Sequence, residues 1–344
     1  MSRLGVLINP TAGHGRADDG GRDALALLGR SGHEVIDLSG RTAEIALARA
    51  RDTLWELDAL VVVGGDGMVH LGVNVVAGTT VPLGIVPFGS GNDLARTLGL
   101  VEHDCRRAVA DVLAALDSRP RVVDAIATRV HVPEAEDAGA AGSAAGAGGA
   151  GGAGGAGGST AASHADELED PTAVEWTACV LSAGIDAAVN HRANTYRWPQ
   201  GGGRYVRGTL AELSVFHPYG YRLTIDGVVR EQDATLVALA NAPSFGGGMQ
   251  IAPDAQMDDG WMDVVIAHAM GRAQLMRLFP RLYQGTHVRS PRVEILRARE
   301  VVLEPLPGRR RPPPVYADGE LLGRLPLRAR LRPGALRLLT PEAT

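Results

Sequence analysis

The sequence predicts an α/β protein: an N-terminal doubly wound, Rossmann-like nucleotide domain, then a second, β-rich, sandwich-like domain. Three observations predict it. Apolar runs and amphipathic stretches alternate over the first third of the chain, the pattern of a parallel sheet covered by helices. Two glycine-rich turns, Val63-Gly64-Gly65-Asp66-Gly67 and Pro87-Phe88-Gly89-Ser90-Gly91-Asn92-Asp93, each follow an apolar run and each open a helix. From Pro120 the texture changes to short β-like segments with few helices. A chain of 344 residues is long enough for two domains. We place them at 1–120 and 121–332, with a C-terminal segment, 333–344, packing back on the first.

In order, residues 3–9 read as a strand, 17–30 as a helix, 33–38 as a strand and 42–54 as a helix with Thr42 as N-cap. Strands at 59–63 and 82–86 lead into the glycine turns, and a helix at 105–116 follows. Ligands of such sheets bind at the carboxyl ends of the strands. Both glycine turns fall there, as does Asn9-Pro10-Thr11-Ala12-Gly13. The second domain reads as mostly antiparallel. Its strands are expected at 121–130, 175–183, 219–226, 228–240, 262–268, 293–296, 300–304, 314–317 and 335–339, with helices at 204–216 and 272–283. Between 133 and 171 Ala and Gly dominate. That stretch reads as a disordered insertion, with almost nothing to bury against the entropy of ordering it. There is no internal repeat.

Composition excludes several chemistries. The net charge of −5 gives no field for nucleic acid, so no nucleic-acid partner is expected. Every basic side chain is arginine or histidine; there is no lysine. A P-loop nucleoside triphosphatase, a protein kinase and a Schiff-base enzyme all need one. Phosphate charge must then be met by Arg, backbone N–H groups or a metal. Cys105 and Cys179 are the two cysteines, without a CxxC pair, so neither a zinc site nor a disulfide frame is expected and a reducing cytoplasm fits. The N-terminus has no leader-like apolar region, and no apolar run reaches membrane-spanning length. The expectation is a soluble or peripheral protein.

The chemistry sits in the turns. Strand, glycine turn and helix N-terminus make an anion site, because N–H groups point outward and no Cβ blocks the ligand. Asp66 puts a carboxylate beside that site. This is repulsive unless a metal, a water or a reacting hydroxyl lies between, which points to nucleotide phosphate, Mg2+ and chemistry together. Asp318 and Glu320 lie two apart on a strand-end turn and point to one side. One can accept a hydroxyl proton while the other holds a water or metal, and the residues alone do not say which. A β-turn with no further role is the alternative. Arg309-Arg310-Arg311 reads as a contact for anionic headgroups or as a solvated loop, and Asp124 and Asp186 as capping or functional groups.

Six ordered motifs carry a resemblance. They are Asn9–Gly13, Gly64-Gly65-Asp66-Gly67, Pro87 to Asp93, Ser182-Ala183-Gly184-Ile185-Asp186, Asp258-Asp259-Gly260 and Ala317-Asp318-Gly319-Glu320. In this order they resemble the diacylglycerol kinase catalytic-domain family of bacterial lipid kinases, sphingosine kinases and ceramide kinases. The stretch from Asn190 to Leu213 looks most like actinobacterial diacylglycerol kinases. The resemblance implies ATP in a cleft between the domains. It implies nucleotide contacts from Asn9, Pro10, Thr11, Ala12, Gly13, Thr42, Gly64, Gly65, Asp66, Gly67, Met68, Val69, His70, Leu71, Ser90 and Asn92. It departs from the family pattern at Met68 and Ser90, where Thr is usual, and at His70-Leu71, where Asn-Glu is usual; Asn74 fits. Glu320 is implied as proton acceptor, with Asp66 in the same network; Asp318 stays a catalytic candidate from the residues alone. A structural Mg2+ is implied at Asp259 with the carbonyls of Gln256 and Trp261.

The expectation is therefore an ATP- and Mg2+-dependent kinase of a lipid hydroxyl, most simply diacylglycerol, in the cytoplasm and peripherally attached to the inner face of the membrane. A homodimer is compatible with it. The rivals are a kinase of a soluble hydroxylated substrate, of the NAD kinase or phosphofructokinase kind, and a non-catalytic lipid-binding protein.

Overall fold

Leu4, Val6, Val61 and Val86 face one way from the first sheet, and Leu7, Leu60 and Val62 the other, as alternation along a strand requires. Both faces are therefore apolar, and both are covered. The computed structural model describes residues 1–8, 16–89, 91–130, 168, 174–195 and 216–341. The expectations for Asn9 to Gly13, for Ser90, for 133–171 apart from Leu168, and for a helix at 204–216 apart from Phe216 lie outside the described residues.

Strands β1 (Arg3–Ile8), β2 (Glu34–Asp37), β3 (Ala59–Gly64) and β4 (Leu83–Pro87) form a parallel sheet in the order β2-β1-β3-β4. Helices α1 (Arg16–Gly29) and α5 (Cys105–Ala115) pack on one face. Helices α2 (Ala43–Thr53) and α3 (Asp66–Val76) cover the other. Burying each Val or Leu of the two layers contributes about 1.5–3 kcal/mol. The short helix α4 (Asp93–Thr97) follows the second glycine turn.

The remaining strands pair antiparallel among themselves. They are β5 (Arg121–Val130), β6 (Glu175–Thr177), β7 (Val180–Gly184), β8 (Tyr219–Ile225), β9 (Val228–Ala240), β10 (Met262–His268), β11 (Val293–Ala298), β12 (Glu300–Pro305), β13 (Val315–Ala317), β14 (Glu320–Gly323) and β15 (Leu327–Leu339). They run β14-β13-β7-β9-β8-β12-β15, with β10 and β11 branching from β9, and β5 and β6 from β15. Helix α6 (Ile185–Thr195) follows β7, and α7 (Arg272–Leu282) follows β10.

Strand β15 belongs to both sheets. Leu327 to Arg332 pair antiparallel with β5, a register shift follows, and Leu338 and Leu339 then run parallel to Leu83 and Gly84 of β4. Gly334, at φ 63°, takes the left-handed turn of that irregularity. Two expectations change here. The last strand starts eight residues earlier than the expected 335, because Leu327 to Arg332 alternate inward Leu and Ala with outward Arg. The single strand expected at 175–183 is two strands, interrupted at Ala178 and Cys179 by a carboxylate described below.

Candidate active site

The two glycine turns touch. A Cβ on either Gly65 or Gly89 would collide with the other's Cα, so both positions need glycine for the backbones to meet. Asp66 opens α3, and its carboxylate accepts the N–H of Asn92 at 2.9 Å and of Asp93 at 2.7 Å. This corrects the expectation of an open anion site at the second turn: two of its N–H donors already belong to Asp66. Asn92, at φ 52° and almost fully buried, closes the turn by exchanging hydrogen bonds with Gly89 at 2.9 Å and donating to Glu102 at 3.0 Å. The first turn keeps the Asp66 and Gly67 N–H groups without an intrahelical acceptor, while the Met68 N–H reaches the Gly65 carbonyl at 3.0 Å. Burial, then the nearby Asp93, push the Asp66 carboxyl up to about 6, against the two N–H bonds that favour its charge.

The turn between β13 and β14 brings Asp318 and Glu320 across to α3. Asp318, at φ 50°, accepts three N–H groups: Ala178 at 2.7 Å, Cys179 at 2.9 Å and Val180 at 3.0 Å. These amides can no longer serve a strand ladder, which is why β6 and β7 are separate. Glu320 is the opposite case. It is exposed, and a Cβ on Gly67 would sit 2.7 Å from its Oε1. One carboxylate of the pair is thus consumed by backbone, and the other stands over the first turn of α3.

His70 connects the parts. It is buried on α3, with Nε2 2.9 Å from Glu175 and Nδ1 3.7 Å from Asp318, the latter an ion-pair distance rather than a hydrogen bond. Burial alone would lower its pKa, but Asp318 and Glu175 outweigh burial and raise it to about 9. Asn74, one turn on, accepts the Trp176 N–H at 2.8 Å and donates to the Trp176 carbonyl at 3.1 Å. Helix α3 is thereby stitched to β6. Met68, Val69 and Leu71 are buried in the core, so the backbone of this helix start, not those side chains, faces outward. The Thr42 hydroxyl caps α2, accepting the Ile45 N–H at 3.4 Å.

Sequence reasoning missed Asp93 and its partner. The Asp93 carboxylate accepts the Gly247 N–H at 2.9 Å, tying the second glycine turn to the run Gly246-Gly247-Gly248 of the β-rich part. Three consecutive glycines after a strand were the available signal. Asp124 is a brace: it accepts Gly260 and Gly334 N–H groups at 2.8 Å each, and its own N–H reaches the Met257 carbonyl at 2.6 Å. Asp186 is held by Ser182, and burial pushes its carboxyl to about 6.

The loop with Gln256, Asp259 and Trp261 does not fit the expected Mg2+. One Asp259 oxygen accepts the Trp261 N–H at 3.0 Å, and the other is paired with Arg297. Arg297 and Arg299 also lie over the Trp261 ring, 5.6 and 4.4 Å from its centre. A side-chain cation stands where the metal was expected.

Residues 3–127 match the diacylglycerol kinase catalytic domain, and residues 179–340 match the YegS C-terminal NAD kinase beta sandwich-like domain. The chain is 35% identical to a diacylglycerol kinase of Mycobacterium tuberculosis, over 99% of this chain and 96% of that protein. It is 25% identical to the putative lipid kinase YtlR of Bacillus subtilis, over 99% and 100% of the two chains. The crystal structure of a putative diacylglycerol kinase from Bacillus anthracis shares the fold, with a TM-score of 0.68, 17% identity, and 99% and 98% of the chains covered.

Proposed function

From the premise that this chain belongs to the diacylglycerol kinase catalytic-domain family, we propose that it transfers the γ-phosphoryl group of ATP to the hydroxyl of diacylglycerol, giving phosphatidic acid. One observation carries the assignment of roles. Of the two carboxylates in the Asp318-Gly319-Glu320 turn, Asp318 is bound by three backbone N–H groups and Glu320 is exposed over Gly67.

Glu320 is then the proton acceptor. As the lipid oxygen bonds to the γ-phosphorus, its proton passes to the Glu320 carboxylate and the bond from phosphorus to the bridging β,γ-oxygen breaks, releasing ADP. Asp318 fixes that turn and, through His70, its distance from α3. The first glycine turn supplies N–H donors to phosphate oxygens, and its bare backbone permits close approach. Asp66 holds the second turn in place. Burial and the neighbouring Asp93 carboxylate raise its pKa, so added positive charge at this turn would favour its ionised form. A nucleotide-borne Mg2+ would supply neutralising charge to the phosphates, and Asp66, whose oxygens keep lone pairs beyond the two N–H bonds they accept, would be the carboxylate to meet it. Positioning and charge stabilisation account for most of such a reaction.

Among the described residues no helix is long and apolar enough to cross a membrane, which supports a protein meeting its lipid from the membrane surface. The test is transfer of label from γ-labelled ATP to a panel of acceptors in neutral detergent: diacylglycerol, ceramide, sphingosine, NAD and fructose 6-phosphate. Label in diacylglycerol above the others is expected. Label in a soluble acceptor instead would replace this reading with the soluble-substrate kinase.

A further inference from the structure

We propose that α7 and the segment behind it, residues 269–293, form the face that docks on an anionic phospholipid surface. This rests on the lipid-kinase reading, since it says from which side that substrate is met. The segment holds five arginines, Arg272, Arg277, Arg281, Arg289 and Arg292, and no Asp or Glu, in a chain whose net charge is −5. Helix α7 is apolar on two sides. Leu275, Leu278 and Leu282 pack inward. Met276, Phe279 and Tyr283 lie outward, 56%, 36% and 54% exposed. Positions three and four apart share a helix face. Phe279 and Tyr283 meet edge to face, ring centres 6.2 Å apart. Exposed aromatics flanked by arginine suit the boundary between headgroups and acyl chains.

Arg277 and Arg281 stand one turn apart, and no carboxylate is paired with either among the described residues. With Arg292 and Ser290 they line a groove of about 280 Å3, whose other wall includes Met270 and Pro291. A phospholipid offers both halves of the match: a phosphate for the guanidiniums and apolar chain for the wall. The face is also joined to the candidate site. The Gln250 N–H donates to the Leu282 carbonyl at 2.8 Å, and the Gly247 N–H donates to Asp93. Docking here would place the lipid beside the segment 247–250 that holds Asp93 of the second glycine turn. A second copy is the poorer occupant, because a two-fold contact would oppose five arginines to five arginines.

The test is flotation of the full chain, without ATP, with vesicles of phosphatidylcholine alone or of equal parts phosphatidylcholine and phosphatidylglycerol. Binding to the anionic vesicles that weakens with salt is expected. Each basic residue at such a surface adds about a fivefold gain, so Arg277→Gln/Arg281→Gln loses about 30-fold. The control Arg41→Gln/Arg106→Gln, with the same charge change on the other region, keeps binding. Phosphorylation of diacylglycerol in neutral detergent stays at the wild-type rate in the α7 variant. Equal binding to neutral vesicles, an equal loss in the control, or unchanged binding in the α7 variant overturns the proposal. So does a dimer in sedimentation that the α7 variant dissociates, since a second copy then owns the face. If the variants melt early, hydrogen exchange of the wild type decides: vesicle-induced slowing over 272–292 supports docking, and its absence refutes it. Failure of the detergent assay with normal vesicle binding would count against the kinase reading alone.

Discussion

Two acidic turns of the β-rich region, Asp318-Gly319-Glu320 and Asp258-Asp259-Gly260, look alike on paper and are wired oppositely. Each has a residue in the left-handed region, Asp318 at φ 50° and Gly260 at φ 77°. In the first, three backbone N–H groups absorb Asp318, and Glu320 stands exposed over the first turn of α3. In the second, Asp259 is met by Arg297 and by the Trp261 N–H, and Asp258 lies 3.7 Å from Arg121. What already holds a carboxylate decides what it is free to do. In these two turns the held carboxylates are architecture, and the exposed Glu320 is the one left available for chemistry.

Substitutions can break that comparison. The largest effect is expected from Asp318→Asn, which leaves three buried N–H groups short of acceptor charge and His70 short of a partner. A loss of about 4 kcal/mol in unfolding free energy should result, visible in denaturant melts. A normal melt would mean that Asp318 is not the brace. Asp66→Asn keeps shape and removes charge; its rate with diacylglycerol should fall about 100-fold or more, while the melt changes less. For the wild type, the rate should decline as pH drops through about 6, where the Asp66 carboxyl takes up a proton.

His70→Gln sharpens the picture through pH. Because the folded His70 is raised to about 9, its ion pairs stabilise fully below its unfolded value near 6.5 and lose that contribution as pH rises through about 9. The stability gap between wild type and His70→Gln should be on the order of 2 kcal/mol at pH 6 and should shrink by pH 10. A gap that grows with pH would reverse the assignment. The smallest effect belongs to the second turn. Its Arg297 is half exposed, so Arg297→Ala should cost less than about 1 kcal/mol. Chelators should leave the wild-type melting temperature unchanged. A chelator-induced drop would restore a metal to that loop.

Much of this architecture is readable in the chain, because it rests on local pattern. The apolar runs before Gly64 and Gly89 have one stable use, as strands buried on both faces, and glycine turns at their ends follow. The long-range wiring is not readable. The break between β6 and β7 is caused by Asp318, about 140 residues away, and Asp93 meets Gly247 across 154. Nor does residue type separate Asp318 from Glu320, since the distinction lies in their neighbours. The strand expected at 335–339 is only the end of β15, because Pro333-Gly334 interrupts the alternation without ending the strand.

The most direct test of the central claim is the turnover of Glu320→Gln with ATP and diacylglycerol, measured beside its melting temperature and its affinity for ATP. A rate reduced at least about 100-fold, with folding intact and nucleotide binding retained, is predicted for the loss of a general base. Near-normal turnover of Glu320→Gln, with the loss appearing instead in folded Asp318→Asn, would contradict it.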